Sequence, residues 1–191
     1  MKKLTAADKA ISFQAKDLNG STINLADYKG QKVLLSFFRK AACPFCNLAM
    51  QQLIRNHQKF EEKGIKVVAL FASTKKEVEK YAGTQKPPFP IIPDADFKIY
   101  GKYGIESSYG GMLQTMFNPA KVWKALRGGF FSLSTVPQDP VLPAEILINE
   151  NQEIHRAYYG QNYDDHLSVA EILQWEYPTN LEYQLAGNAT V

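Results

Sequence analysis

Val33-Leu34-Leu35-Ser36-Phe37-Phe38-Arg39-Lys40-Ala41-Ala42-Cys43-Pro44-Phe45-Cys46 is the stretch that decides how this chain is read. Its first six residues form a near-continuous apolar run, as expected of a central strand buried on both faces. After Pro44 the period changes. Cys46, Ala49, Met50, Leu53, Ile54, His57 and Phe60 recur at helical spacing, which predicts a helix from Pro44 to about Gly64. Proline suits the first helical turn, where a missing N–H costs nothing, and glycine suits the stop. Both cysteines of the chain therefore stand where a strand feeds a helix. A Cys-x-x-Cys in that setting is a redox arrangement with a physical rationale.

The two thiols are not equivalent. Unpaired N–H groups and the macrodipole at a helix N-terminus favour a thiolate. The pattern places Cys43 at that edge, exposed and ionisable, with Arg39 and Lys40 just upstream to add positive potential. Cys46 falls on the apolar face, more buried and suited to resolving a mixed disulfide. Cys43 is thus the expected nucleophile, Cys46 the resolving thiol, and Pro44 the residue that sets the first turn between them. Two plainer readings compete. Free cysteines are often inert core residues. A Cys-x-x-Cys is also half of a zinc site, but tetrahedral zinc needs a second ligand pair, and His57, His155 and His166 are far apart in sequence. No metal or organic cofactor is expected.

Outward from this stretch the chain reads as one α/β domain over residues 1–191, with an insertion. Asn19-Gly20 is a hairpin signal between Phe13–Lys16 and Thr22–Leu25. Ile65–Ala72 is a second buried strand, and Thr74 with Glu77 forms a capping box for a helix to about Ala82. Pro87-Pro88-Phe89-Pro90 marks a loop before a short strand at Ile91-Ile92, and Asp94–Tyr103 reads as a short helix stopped by Gly104. Residues 105–141 break the β-α-β-α rhythm. Helices are expected there near Tyr109–Phe117 and Ala120–Leu126. Met112, Leu113, Met116, Phe117, Val122, Trp123 and Leu126 give them an apolar load that packs on the core, forms a lid, or forms a homodimer surface. Glu145–Asn149 and Ile154–Tyr159 follow as a strand pair, then a helix from about Ser168 to Trp175 and a polar tail after Pro178. His57 is expected to be a packed histidine, His166 a surface or capping residue, and Tyr158 and Tyr159 simple strand residues.

Composition narrows the function classes. A net charge of +3 with no run of like charges argues against a nucleic-acid or membrane-surface partner. No stretch approaches the ~18 apolar residues of a membrane span. Met1-Lys2-Lys3 resembles the start of a signal peptide, but no apolar core follows it, so the cytoplasm is the expected compartment. Two cysteines do not make a secreted disulfide framework.

Four stretches in order carry a family resemblance: the opening Phe13–Gly20 with Ile23–Gly30, the strand and loop Val33–Cys46, Phe89-Pro90-Ile91-Ile92-Pro93-Asp94 through Tyr103-Gly104, and Leu142-Pro143-Ala144-Glu145-Ile146-Leu147-Ile148-Asn149. Together they resemble the peroxiredoxin-like (alkyl hydroperoxide reductase/thiol-specific antioxidant, AhpC/TSA) branch of the thioredoxin-fold superfamily. The resemblance implies a thioredoxin-like fold, a central mixed sheet flanked by helices, with an N-terminal β-hairpin and the helical insertion. It implies reduction of peroxides or disulfides through a Cys43–Cys46 disulfide, with electrons from a thioredoxin- or glutathione-type thiol. It also implies that Pro143 is a cis-proline facing the cysteine pair; the alternative is an ordinary trans proline opening a strand.

The chain departs from the family pattern at its centre. A peroxiredoxin places Thr or Ser three residues before its peroxidatic Cys; here that position holds Lys40 or Cys43. Arg39 replaces the loop's proline, and the family's distal arginine has no match evident among Arg39, Arg55, Arg127 and Arg156. Pro-Phe between the cysteines looks more like a thiol-disulfide oxidoreductase. An alternative is a non-catalytic redox sensor or binding module that uses the insertion for partner contact.

Overall fold

Seven consecutive residues, Lys32–Phe38, form the strand on which the fold is built, and the computed structural model describes residues 2–105 and 141–175 around it. In chain order the strands are β1 Gln14–Lys16, β2 Thr22–Asn24, β3 Lys32–Phe38, β4 Ile65–Phe71, β5 Ile91–Pro93, β6 Ala144–Ile148 and β7 Ile154–Tyr159. The helices are α1 Pro44–Arg55, α2 His57–Glu62, α3 Lys75–Lys80, α4 Lys98–Lys102 and α5 Val169–Leu173. β1 and β2 form the expected antiparallel pair, with Gly20 at φ +84° in the turn. The other five strands form one mixed sheet in the order β5-β4-β3-β6-β7. β3 is its centre, parallel to β4 and antiparallel to β6.

Alternation along the strands makes two cores. Leu34, Phe38, Val67, Ala69, Phe71 and Leu147 face α1 and α5, together with both cysteines. Val33, Leu35, Phe37, Val68, Leu70 and Ile146 face the other way, toward Tyr100 and Tyr103. Burying such side chains is worth about 1.5–3 kcal/mol each, which is why a strand with two apolar faces belongs in the middle of the sheet.

Three expectations need correction. The helix from Pro44 does not run unbroken to Gly64. Asn56 leaves the helix at φ −106°, ψ 10°, its side chain donating back to the Gln52 carbonyl at 2.9 Å, and α2 restarts after it. Such local side-chain bonding competes with the helical ladder. The helix expected from Asp94 begins only at Lys98, because the Asp94 carboxylate accepts the N–H groups of Lys98, Ile99 and Tyr100 and so serves as its cap. Third, no cis peptide bond occurs among the described residues, so Pro143 is trans and opens β6 as an ordinary strand-start proline. The capping box at Thr74 and Glu77 is present as expected, and Ser168 with Glu171 makes a second one on α5. The two helices expected inside 105–141, with the lid or dimer role attached to them, and the polar tail lie outside the described residues.

Candidate active site

Cys43 is the N-cap of α1, and Pro44 follows at the first helical position. The sequence reading put this thiol in solvent; instead it is buried, 3% exposed. The cover is Arg39. Its Nη1 lies 3.2 Å from Cys43 Sγ, and its Nε donates to the Val141 carbonyl at 2.8 Å. The guanidinium stacks on the ring of Tyr163, 3.1 Å from its centroid. An arginine at a bend between strand and helix thus reaches the sulfur, although no family arginine was evident in the sequence.

The geometry separates the two thiols. A hydrogen bond from the Cys46 thiol holds the Cys43 pKa down to about 6; burial works against this, and Arg39's charge and the backbone N–H groups of Cys46 and Phe45 assist it. Cys46 is fully buried on the inner face of α1. Burial, with the hydrogen bond to Cys43 and that residue's charge, pushes its pKa well above 9.0. Both cysteines are free. The surroundings thus bias the first sulfur toward the thiolate and its neighbour toward the protonated form.

Polar residues that the sequence reading passed over fix the loop around Cys43. Asn47 donates from Nδ2 to the carbonyls of Ala41 (2.7 Å) and Cys43 (2.9 Å), and Gln85 donates to Asn47 Oδ1 at 2.7 Å. Ser73, just after β4, accepts the Ala41 N–H at 3.0 Å. Lys40, expected beside the thiol, has its Nζ 5.5 Å from the centroid of the Phe97 ring. Pro143 sits under Gly160, whose N–H bonds to its carbonyl at 2.9 Å; any side chain at Gly160 would collide with the Pro143 ring. This close approach lays the loop 161–168, with Tyr163, alongside the start of β6.

His57 packs against the Phe89 ring and pairs with Glu61, as a packed histidine should. His155 stacks on Trp175. His166 is not a surface residue. Its side chain is 11% exposed, and its Nδ1 lies 2.5 Å from Oε1 of Glu145, a carboxylate buried near the start of β6. Glu145 also accepts the Leu167 N–H at 3.1 Å and the Ser36 hydroxyl at 3.4 Å. The signal for this pair was in the sequence: one acid inside the otherwise apolar strand Ala144–Ile148.

Comparison with known proteins agrees with this fold. A model of the AhpC/TSA family matches residues 6–155. The chain belongs to the AhpC/TSA family. Among its relatives is the Mycobacterium tuberculosis protein Rv2521, which carries a peroxiredoxin name and is 30% identical over 115 residues, 59% of this chain and 73% of that protein. The thiol-disulfide oxidoreductase ResA of Bacillus anthracis is 33% identical over 116 residues, 60% of this chain and 64% of its own length. Among solved structures, the peroxidoxin BcpB of Mycobacterium tuberculosis superposes with a TM-score of 0.65 at 15% identity, covering 89% of this chain and 94% of that one. The family match spans β1 to β6 and the start of β7, α1 with Cys46 included. No helix among the described residues is long and apolar enough to cross a membrane.

Proposed function

We propose that this AhpC/TSA chain is a thiol-dependent oxidoreductase in which Cys43 attacks an oxidised substrate and Cys46 resolves the product. The observation that carries this is the placement of Cys43 at the N-cap of α1, 3.2 Å from Arg39 Nη1, beside a fully buried Cys46, an asymmetry that pulls the first thiol's pKa down and pushes the second's up. With a peroxide, the Cys43 thiolate displaces the distal oxygen's partner as an alcohol or water and becomes a sulfenic acid. Cys46 then gives up its proton and attacks that sulfur, forming the Cys43–Cys46 disulfide and releasing water. With a disulfide, Cys43 forms a mixed disulfide, and Cys46 expels the second substrate thiol. Either way an external thiol of thioredoxin or glutathione type restores the pair, in a reducing compartment such as the cytoplasm.

Arg39 serves this chemistry by holding the thiolate's charge, and Pro44 by fixing the turn that presents it. Pro143 supports the loop carrying Tyr163. The family supports peroxide as substrate. The Cys-x-x-Cys spacing and the likeness to ResA support disulfide, since the pair closes its own disulfide without a second chain. Hydroperoxide consumption and disulfide reduction, measured side by side, separate the two substrates. Cys46→Ser should stop the peroxide reaction at a sulfenic acid on Cys43, which a dimedone probe labels. Label on Cys46 in place of Cys43 would reverse the assignment.

A further inference from the structure

The loop 161–168 is pinned on both sides of Tyr163. Before it, the Gly160 N–H bonds to the Pro143 carbonyl at 2.9 Å. After it, the Asp165 carboxylate accepts the Tyr158 hydroxyl at 2.5 Å and the Gln161 N–H at 2.7 Å. Glu145 on β6 accepts the Leu167 N–H at 3.1 Å and meets His166 Nδ1 at 2.5 Å. Hydrogen bonds to a carboxylate are among the strong ones. Glu145 and His166, which the proposed cycle leaves unused, thus tie the far side of this loop to the sheet. Through Asp164, His166 and Leu167 the loop also walls a cavity of about 350 Å³ along α1. Neither cysteine lines that cavity, so it offers no way around the cover on Cys43.

The ring held at the centre of the loop meets Arg39. Both side chains are buried, Arg39 4% and Tyr163 5% exposed. The guanidinium carbon lies 3.1 Å from the ring centroid. An atom so close to the centre of a ring lies over its face, because in the ring plane it would overlap the ring itself. A cation is attracted to an aromatic face, and more so when both are out of water. The guanidinium fork is thereby given a plane. Its Nε donates to the Val141 carbonyl at 2.8 Å, and its Nη1 lies 3.2 Å from Cys43 Sγ. Val141 fixes one edge of the fork, and the ring stops it from tipping about that edge and away from the sulfur. An arginine has several rotatable bonds, so a contact that removes this freedom strengthens the hydrogen bonds that the fork makes.

We propose that Tyr163 is a positioning residue for the nucleophile: its ring clamps the Arg39 guanidinium so that Nη1 faces Cys43 Sγ and stabilises the thiolate's charge. Tyr163 acts through Arg39, and no bond of the reaction is made or broken at it. The face of the ring does the work, so an aromatic side chain without the hydroxyl serves equally.

This rests on the reading of Cys43 as a thiolate held by Arg39, and the experiment separates the two. The reduced full chain is alkylated with iodoacetamide across a range of pH, and the label on Cys43 is followed by mass. The midpoint of the rate reports how well the thiolate is stabilised, and the plateau above it reports access. Tyr163→Leu, which keeps an apolar cover without a ring, should raise the midpoint by about 0.5 pH units, and by less than Arg39→Gln does. Tyr163→Met, a second variant without a ring, should do the same, and Tyr163→Phe should keep the wild-type midpoint. In an Arg39→Gln background, Tyr163→Leu should move the midpoint no further, because a residue that acts through another is silent once the other is gone. Urea unfolding transitions show that each variant is folded. A midpoint unmoved in both ringless variants, whatever the plateau does, reduces Tyr163 to a cover and overturns the positioning role. A shift in Tyr163→Phe equal to that in Tyr163→Leu overturns it too, as does a shift that persists in full without Arg39. A wild-type midpoint at the ordinary thiol value, or one that Arg39→Gln leaves in place, overturns the reading beneath it and this inference together.

Discussion

Along β3, Val33, Leu35 and Phe37 project to one face of the sheet and Leu34, Ser36 and Phe38 to the other. On β6, Ala144, Ile146 and Ile148 share the first face; Glu145 and Leu147 share the second. The first face is sealed by aromatic contacts: Phe37 lies 5.0 Å from the Tyr100 ring and 5.4 Å from Tyr103. The Tyr100 hydroxyl ties the ends of β3 and β4 through the Phe38 and Leu70 carbonyls. The second face carries both cysteines, a serine, a carboxylate–imidazole pair and the cavity. The same strands thus provide a stability face and a chemistry face, one residue out of phase. Polar groups on the second face cost stability unless each is paired, and each of Ser36, Glu145 and Asn47 is.

Substitutions on the two faces should separate accordingly. The largest effect belongs to Cys43→Ser, which should remove turnover with both peroxide and disulfide substrates while leaving the urea unfolding transition in place at about pH 6 or below, where the thiolate contributes little stability; residual turnover near the wild-type rate would unseat Cys43 as nucleophile. Phe37→Ala, on the sealed face, should do the reverse. It should cost about 3–5 kcal/mol in urea unfolding and leave the pH midpoint of Cys43 alkylation unmoved. A shifted midpoint would mean that the faces are coupled.

The buried pair gives a sharper contrast. Glu145→Ala alone should destabilise by about 3–5 kcal/mol, since it strands His166. Glu145→Leu with His166→Phe, which makes this patch resemble the sealed face, should be neutral or stabilising by about 1–4 kcal/mol. If the double variant is less stable than Glu145→Ala, the pair contributes net stability.

The smallest effects come from the thiol's titration. Cys43 has a folded pKa of about 6 against an ordinary 9.0. A depressed acid stabilises the fold fully above its unfolded pKa, and that contribution is lost as pH falls through the folded one. Relative to Cys43→Ser, the reduced protein should therefore gain stability as pH rises from about 6 toward 9.0. Above that range the raised Cys46 pKa acts in the opposite sense. Arg39→Gln should narrow the window by moving the alkylation midpoint of Cys43 upward by about 1. A flat stability difference across the window would show that the fold does not favour the thiolate.

Much of this was legible from sequence because it is local. Apolar runs and helical period placed β3, β4 and α1, β7 was read as the partner of the strand before it, and the Thr74–Glu77 spacing placed the cap of α3. The position of Cys43 and Cys46 at a helix start followed from their neighbours alone. Asn56 broke the expected helix because one side chain bonded back to the backbone, a competition that residue periodicity does not register.

What only the tertiary structure decided depends on residues far apart in the chain. The sequence determined that both thiols stand at a strand-to-helix junction, which of them lies at the helix N-terminus, and which family frame surrounds them. The fold decided that Cys43 is covered and not exposed, because Arg39 is drawn over it by Val141 and Tyr163, more than a hundred residues on. It also decided that Ser36, Glu145 and His166 meet: Ser36 and Glu145 are partners across antiparallel strands, and the loop bearing His166 is laid beside them. Local pattern reports which side chains a segment must bury. Which polar groups share that burial is set by strand register, and register is a property of the whole sheet.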